Sequence, residues 1–327
     1  MKDWQDFIHL QKGDLKSSNF ICDVNQLGLI LVTGDEAQSF LQNQLSNDIT
    51  QIDETRFQLS SYSTPKGRLL VIFRIIAISN GYILIMPASL VSTILKRLQM
   101  YVLHARVSLA DASDHFARFA IQTDIGTVID HHLLAQNEGQ VVQSDTFISL
   151  QLSGLNKQRR YLVFSLSAEA AQSLWSEFTQ HLDSANFESW RLSEIKSGIA
   201  VVYPETSEEF VLQMANLDLI DGVNFKKGCY PGQEIVARMH YLGKLKRRLF
   251  LARLKTALCP RPGDDICSKS VSSPDGSGKV VDAIVDESGI CHCLYIAQIK
   301  KTNANELCLL SQPRVAFNPV DLPYPVS

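Results

Sequence analysis

The sequence predicts an α+β protein in two parts. A two-lobed region of mixed strands and helices spans residues 1–244, and a small all-β module, read as a barrel, spans 245–327. Three observations lead there. Before residue 245, strand-like and helix-like apolar patterns mix without strict alternation, which favours α+β over a doubly wound sheet. After it, short β-rich runs (Leu249–Leu254, Lys279–Val285, Cys291–Ile299, Leu307–Leu310) alternate with turns at Pro260, Pro262-Gly263 and Ser273-Pro274-Asp275-Gly276. The chain has 327 residues, 45% apolar and 20% charged, which suits about two domains with substantial cores.

Taken in order, Leu27–Val32 reads as a strand. Ala37, Phe40, Leu41 and Leu45 then recur at helical spacing, so a helix is expected over 35–46. Phe57–Tyr62 reads as a strand. Leu69–Ser79 and Tyr82–Met86 flank Asn80-Gly81, a strong hairpin signal. Leu90, Val91, Ile94, Leu95, Leu98 and Val102 predict a helix over 88–103. Strands are expected near 106–109, 116–122, 147–153 and 159–165. Ser167 is placed to cap a helix carrying Ala171, Leu174, Trp175, Phe178 and Leu182, and a further helix gathers Trp190, Ile195 and Ile199.

Composition excludes some function classes. Lys plus Arg is 31 against 34 Asp plus Glu, for a net charge of −3, so there is no global basic field for nucleic acid. The start of the chain has no apolar signal segment. The most apolar stretch, Leu69–Pro87, is broken by Arg74 and Asn80-Gly81, so no membrane span is expected and a cytoplasmic location is inferred. Seven cysteines, none spaced Cys-x-x-Cys, point to reduced thiols and no zinc ribbon.

The most unusual segment runs from Asn224 to Arg238. Gly228 and Pro231-Gly232 mark a turn, and a short helix begins near Ile235. Cys229 therefore precedes a helix N-terminus with Lys226 and Lys227 beside it, both of which favour thiolate. The bland alternative is a turn cysteine that only packs. A Cys-His hydrolase would need His240 as base, with no orienting third group evident. Arg238, Lys244, Lys246, Arg247 and Arg248 form a basic run that suits an anionic tail or RNA phosphates; a strand with solvated charges explains it equally well. Asp130-His131-His132 lacks the second acidic motif of a metal phosphoesterase, and no metal site is assigned. Cys291-His292-Cys293 reads as core packing, and Gly276-Ser-Gly-Lys279 is not a phosphate loop.

Lys227-Gly-Cys-Tyr-Pro-Gly-Gln-Glu234 resembles the K-G-C-Y-x-G-Q-E signature of the YgfZ family, which is related to the glycine-cleavage aminomethyltransferase. Phe210–Leu217 resembles that family's F-I-P-Q-x-x-N-L, with Leu212 for Pro. Thr33-Gly34, Phe40, Gln42, Gln44 and Asp48 resemble its N-terminal segment, and Lys66-Gly67-Arg68 its Lys-Gly-basic turn. The resemblance runs in order over most of the chain. It implies an aminomethyltransferase-like, folate-binding fold with ferredoxin-like lobes and a C-terminal β-barrel. It implies tetrahydrofolate or a derivative as cofactor. The implied role is to support assembly or repair of iron–sulfur enzymes, including those that modify tRNA. The partners would be folate and iron–sulfur assembly machinery or client enzymes, with tRNA met only indirectly.

Under that resemblance Cys229 is the reactive thiol. Lys226, Lys227 and Arg238 favour its thiolate, Gly228, Tyr230, Pro231 and Gly232 shape the loop, and Gln233 and Glu234 hold it. Trp190 matches one folate tryptophan, while Leu27 stands where family members can carry another. Two departures bear on activity. Leu70-Val71 replaces the transferase's acid pair, so aminomethyl transfer is not expected. Lys196 stands where the transferase has a pterin-binding Glu. A one-carbon transferase and an RNA-binding module through 238–248 are the alternative readings.

Overall fold

The computed structural model describes residues 1–11, 13, 18–124, 134–155, 158–269, 273–303 and 306–326. Asp130-His131-His132 lies outside the described residues. The chain divides into two compact units. Met1–Gln42, Asp48–Leu59 and Phe73–Trp190 make the first; Asn43–Asn47, Ser60–Ile72 and Arg191–Ser327 make the second.

In chain order the elements up to residue 196 are α1 (Lys2–His9), β1 (Phe20–Asp23), β2 (Leu27–Thr33), α2 (Ala37–Gln44), β3 (Phe57–Ser63), β4 (Leu69–Ile78), β5 (Gly81–Pro87), α3 (Ala88–Gln99), β6 (Ser108–Asp111), β7 (Ala117–Asp124), β8 (Val141–Gln143), β9 (Phe147–Leu152), β10 (Gln158–Ser165), α4 (Ala168–Phe178), β11 (Asp183–Ala185) and α5 (Phe187–Lys196). They build a five-stranded sheet ordered β3-β4-β5-β2-β6 and a six-stranded sheet ordered β11-β1-β7-β10-β9-β8. The Asn80-Gly81 hairpin forms as expected: β4 and β5 pair antiparallel from Arg74↔Ile85 to Ile78↔Gly81. β2 lies on the other side of β5, from Leu27↔Pro87 to Thr33↔Gly81.

α3 buries Leu90, Val91, Ile94 and Leu98, the predicted stripe, but ends at Gln99 rather than 103. Met100, Tyr101 and Leu103 beyond it are exposed, so nothing rewards a further helical turn. α4 starts where Ser167 predicts: its hydroxyl accepts the Ala170 N–H at 3.2 Å. α1 was not expected from the sequence. Its eight residues bury only Trp4 and Ile8, and Trp4 meets Trp175 of α4 edge-on at 5.8 Å. Fully burying an aromatic of this size contributes roughly 1.5–3 kcal/mol, enough to hold a helix too short to stand alone. A second cluster of the same unit joins Leu29, Ile83, Phe116, Leu150, Leu162 and Trp190.

The second unit carries α6 (Gln233–Tyr241), β12 (Arg247–Leu254), β13 (Asp265–Ser268), β14 (Gly278–Val285), β15 (Cys291–Gln298), α7 (Ile299–Asn303), β16 (Leu307–Leu309), β17 (Gln312–Ala316) and β18 (Asn318–Val320). The strands form one sheet ordered β17-β16-β13-β14-β15-β12-β18, a nearly closed antiparallel barrel. Its core holds Ala252, Ile266, Val280, Tyr295, Leu309 and Phe317. A bulge at Val280/Asp282 interrupts the β14 ladder. There the buried Asp282 pairs with Arg191 and accepts the Tyr203 hydroxyl at 2.8 Å. Removing one member of so buried a pair costs about 3–5 kcal/mol, because a charge is left without its partner.

Candidate functional site

Two sequence motifs far apart in the chain meet inside the second unit. Thr64 to Arg68 turn between β3 and β4: the Gly67 N–H bonds Thr64 O at 2.8 Å, and Thr64 N–H bonds Arg68 O at 2.8 Å. Pro231-Gly232 leads into α6, whose N-cap is Gly232 at φ 84°. A Cβ on Gly232 would lie 2.6 Å from Gly67 Cα and 2.7 Å from Thr64 O. Gly67 is itself left-handed at φ 70°, with Ile235 of α6 against its free face. Two backbones can approach this closely only where neither residue carries a side chain. Lys66 and Arg68, either side of Gly67, are exposed, and Arg68 donates to Glu209 O at 2.9 Å.

Cys229 rides on the loop that these contacts hold. The Asn224 side chain accepts the N–H groups of Lys226 and Lys227 at 2.8 and 3.1 Å, while its own N–H bonds Ser46 O. The Lys227 ammonium is buried and donates to the carbonyls of Leu45 and Asn47 at 2.6 and 3.0 Å. It also lies 5.2 Å from the ring centroid of Tyr230. Tyr230 is buried, which pushes its phenol up to about 12 and keeps it neutral. Gln233 closes the loop: its N–H bonds Tyr230 O at 3.1 Å and its amide reaches Lys227 O at 3.4 Å. Gly228 meets nothing within 4 Å of where a Cβ would stand. Of seven cysteines Cys229 alone is exposed.

The remaining predicted residues divide. Lys226, Glu234 and Arg238 are exposed, and Glu234 makes no side-chain hydrogen bond among the described residues. Lys227 is a structural cation, with its charge held by backbone carbonyls. His240 stacks on Phe225 at 3.8 Å, and no base lies within hydrogen-bond reach of Cys229 among the described residues. The basic run is broken by folding. Arg248 is buried, donating to Asp218 at 2.6 Å and to Gln213 O at 2.9 Å, and Arg247 donates to Gly276 O. Only Arg238, Lys244 and Lys246 of that run are exposed.

Trp190 and Leu27 border the same apolar cluster of the first unit. Trp190 is 1% exposed, with the Arg160 guanidinium 4.8 Å from its ring centroid. Its indole N–H is buried without an acceptor among the described residues. A pterin has ring acceptors that suit this orphaned donor. Its amino edge requires an acceptor, which neither Trp190 nor Leu27 supplies. Lys196, in the second unit, is a half-buried ammonium whose pKa burial lowers. The indole N–H suits a pterin acceptor, whereas the Trp190 ring is packed in the core with Arg160 over it and presents no free stacking face. Among the described residues no group of three or more His, Cys, Asp or Glu is placed to hold a metal ion.

Sequence reading missed the frame. Ser46 accepts the Ser61 N–H and donates to Gly222 O, and Asn47 donates to Asp221 O at 2.6 Å. Gln213 donates to Val236 O inside α6 at 2.7 Å. Asn216, at φ 58°, exchanges two hydrogen bonds with the backbone of Leu249 in β12. The signal available was the Gln and Asn of the Phe210–Leu217 motif, polar residues in an apolar run.

No family model matches the chain. The tRNA-modifying protein YgfZ of Colwellia psychrerythraea is 30% identical over 295 residues, which covers 85% of this chain and 89% of that protein. The YgfZ protein of Photobacterium profundum is 25% identical over 307 residues, 93% of this chain and 91% of that one. Among solved structures, the glycine cleavage system aminomethyltransferase T of Bartonella henselae superposes with a TM-score of 0.69 over 90% of this chain and 81% of that one, at 13% identity. That likeness establishes the fold: α+β, aminomethyltransferase-like, with a terminal barrel. The coverage and identity of the first relative, together with the loop described above, show that the chain belongs to the YgfZ family of tRNA-modifying proteins.

Proposed function

We propose that the protein is a cytoplasmic accessory factor of tRNA modification that binds a reduced folate and supports assembly or repair of iron–sulfur enzymes. The observation that carries this reading is the exposed Cys229 on a loop fixed by buried contacts. Lys227, Asn224 and Gln233 hold the loop, and Gly67 and Gly232 lock it against a neighbouring turn. A cysteine serving only to pack would be buried, as five of the other six are. The residues that would hold folate are Trp190 and Leu27, with the indole N–H as donor. Tetrahydrofolate would supply one-carbon chemistry, and this chain's part is to bind it and to present the thiol. Aminomethyl transfer is disfavoured, because Leu70 and Val71, at the acid positions, are buried apolar residues with no carboxylate to polarise nitrogen.

Two measurements test this. Calorimetry with tetrahydrofolate should show binding to the wild type and weaker binding, by roughly 1–3 kcal/mol, to Trp190→Phe, which keeps the core filled but removes the N–H donor. No folate binding by the wild type sinks the cofactor part. Cys229→Ser should leave the melting temperature unchanged yet fail to restore tRNA modification by iron–sulfur enzymes in a deletion strain. Full restoration by Cys229→Ser would make the thiol dispensable.

A further inference from the structure

Five of the seven cysteines sit in or beside the barrel, and four of them form two close pairs. Cys267 and Cys308 oppose each other in register across β13 and β16, sulfurs 3.4 Å apart. They are 1% and 0% exposed, so an oxidant reaches them only if the sheet opens. The other pair differs. Cys259 is half-buried on the segment between β12 and β13, and Cys291 is the fully buried first residue of β15. Their sulfurs are 3.9 Å apart. Cys293, on the same face of β15, is fully buried as well.

We propose that Cys259 and Cys291 are a peroxide-reactive thiol pair that closes to an intramolecular disulfide. The Cys259 thiolate attacks one oxygen of a peroxide. An S–O bond forms, the O–O bond breaks, and hydroxide leaves and is protonated to water. The Cys291 sulfur then attacks the Cys259 sulfenic acid. The S–S bond forms, the S–O bond breaks, and a second water leaves with the proton of Cys291. Two thiols and one hydrogen peroxide give one disulfide and two waters, with the peroxide reduced.

Three features assign these roles. Cys259 is the member that solvent reaches, so it meets the peroxide first. Contact with Cys259, then burial, push the Cys291 thiol up, so it keeps its proton until the sulfenic acid is beside it. The sulfurs must close to about 2 Å. The Cys259 segment carries no strand pairing and can make that shift, whereas Cys267 and Cys308 are both fixed in ladders. Leu254 already pairs with Cys291, so the bridge ties the exit of β12 to the strand beside it. It closes a loop of about 30 residues, so constraint of the unfolded chain adds to the stability of the oxidised form. It also has a chemical effect: a shielded, reversible bridge instead of irreversible oxidation at Cys259.

The test uses the full chain. Reduced protein is treated with stoichiometric hydrogen peroxide and the remaining thiols are alkylated. The chain is then cut after Lys and Arg and before Asp, which separates Cys259 from Cys267 and both from the peptide holding Cys291 and Cys293. The expected result is a Cys259–Cys291 linked peptide, at least about tenfold more abundant than any Cys267–Cys308 link and reversed by dithiothreitol. Cys259→Ser should abolish it, and Cys291→Ala should leave Cys259 as a sulfenic acid trapped by dimedone. If Cys291→Ala does not fold, the wild-type peptide map decides alone. A bridge from Cys259 to Cys293 or Cys229, a dominant Cys267–Cys308 link, accumulation of Cys259 sulfinic acid without a bridge, or no oxidation of Cys259 would each overturn the proposal.

Discussion

Adjacent lysines in the motif loop do different work. Lys226 is exposed, whereas Lys227 is buried with its ammonium on the carbonyls of Leu45 and Asn47. Lys227→Met keeps most of the volume but leaves two buried acceptors without a donor. It should cost about 1.5–3 kcal/mol in urea unfolding, while Lys226→Met should stay within about 0.5 kcal/mol of wild type. Equal effects of the two would show that burial does not distinguish them. The motif made both lysines legible as neighbours of Cys229. What separates them is hidden in the sequence, since the Asn47 carbonyl that Lys227 holds lies 180 residues earlier in the chain.

The glycines of the loop divide in the same way at the scale of turns and helices. Gly232 is left-handed at φ 84° and packs on the Gly67 backbone, whereas Gly228 faces open space. Gly232→Ala forces both a strained backbone and a clash of the turn before α6 with the turn between β3 and β4. We expect it to cost roughly 2–4 kcal/mol and to lower the melting temperature. Gly228→Ala should change stability by less than about 0.5 kcal/mol. A Gly232→Ala protein with an unchanged melting temperature would contradict the close approach. Helix and strand periods were readable for most elements, down to the Ser167 cap of α4. Among the exceptions, the strands β8, β11 and β18 have only three residues each, too few for a period, and exist because neighbours supply ladder partners, while α1 is held by the packing of Trp4 and Ile8.

Acid sensitivity belongs to the whole molecule and has a local origin in the barrel. His292 lies 2.8 Å from Asp286 and is itself buried. Burial lowers the His292 pKa against the pull of Asp286, so the ring is neutral at pH 7 and its Nε2–H is the donor to that carboxylate. Asp286 is desolvated too, but hydrogen bonds from Ser288, His292 and the Ile290 N–H outweigh burial and bring it down to about 2. Both folded-state values lie below the unfolded ones, so both contributions are present at neutral pH and are lost on acidification. His292 acts as pH falls below about 6.5, Asp286 between about 4 and 2. Urea unfolding should show stability falling by about 2 kcal/mol through the lower window, and Asp286→Asn should flatten that step. A variant with the wild-type slope would place the acid sensitivity elsewhere.

Local patterning alone specified the α+β class, the change to short strands near residue 245, the Asn80-Gly81 hairpin and the motif loop around Cys229. Each is written in neighbours a few residues apart, through period, turn chemistry and an eight-residue signature. Tertiary structure alone decided which cation of a pair is buried, that Arg248 leaves the basic run to meet Asp218, that Gly67 faces Gly232, and that Cys259 stands beside Cys291. These outcomes depend on segments separated by tens to hundreds of residues, and burial turns a charge, a missing Cβ or a thiol into a partner only after the chain has folded.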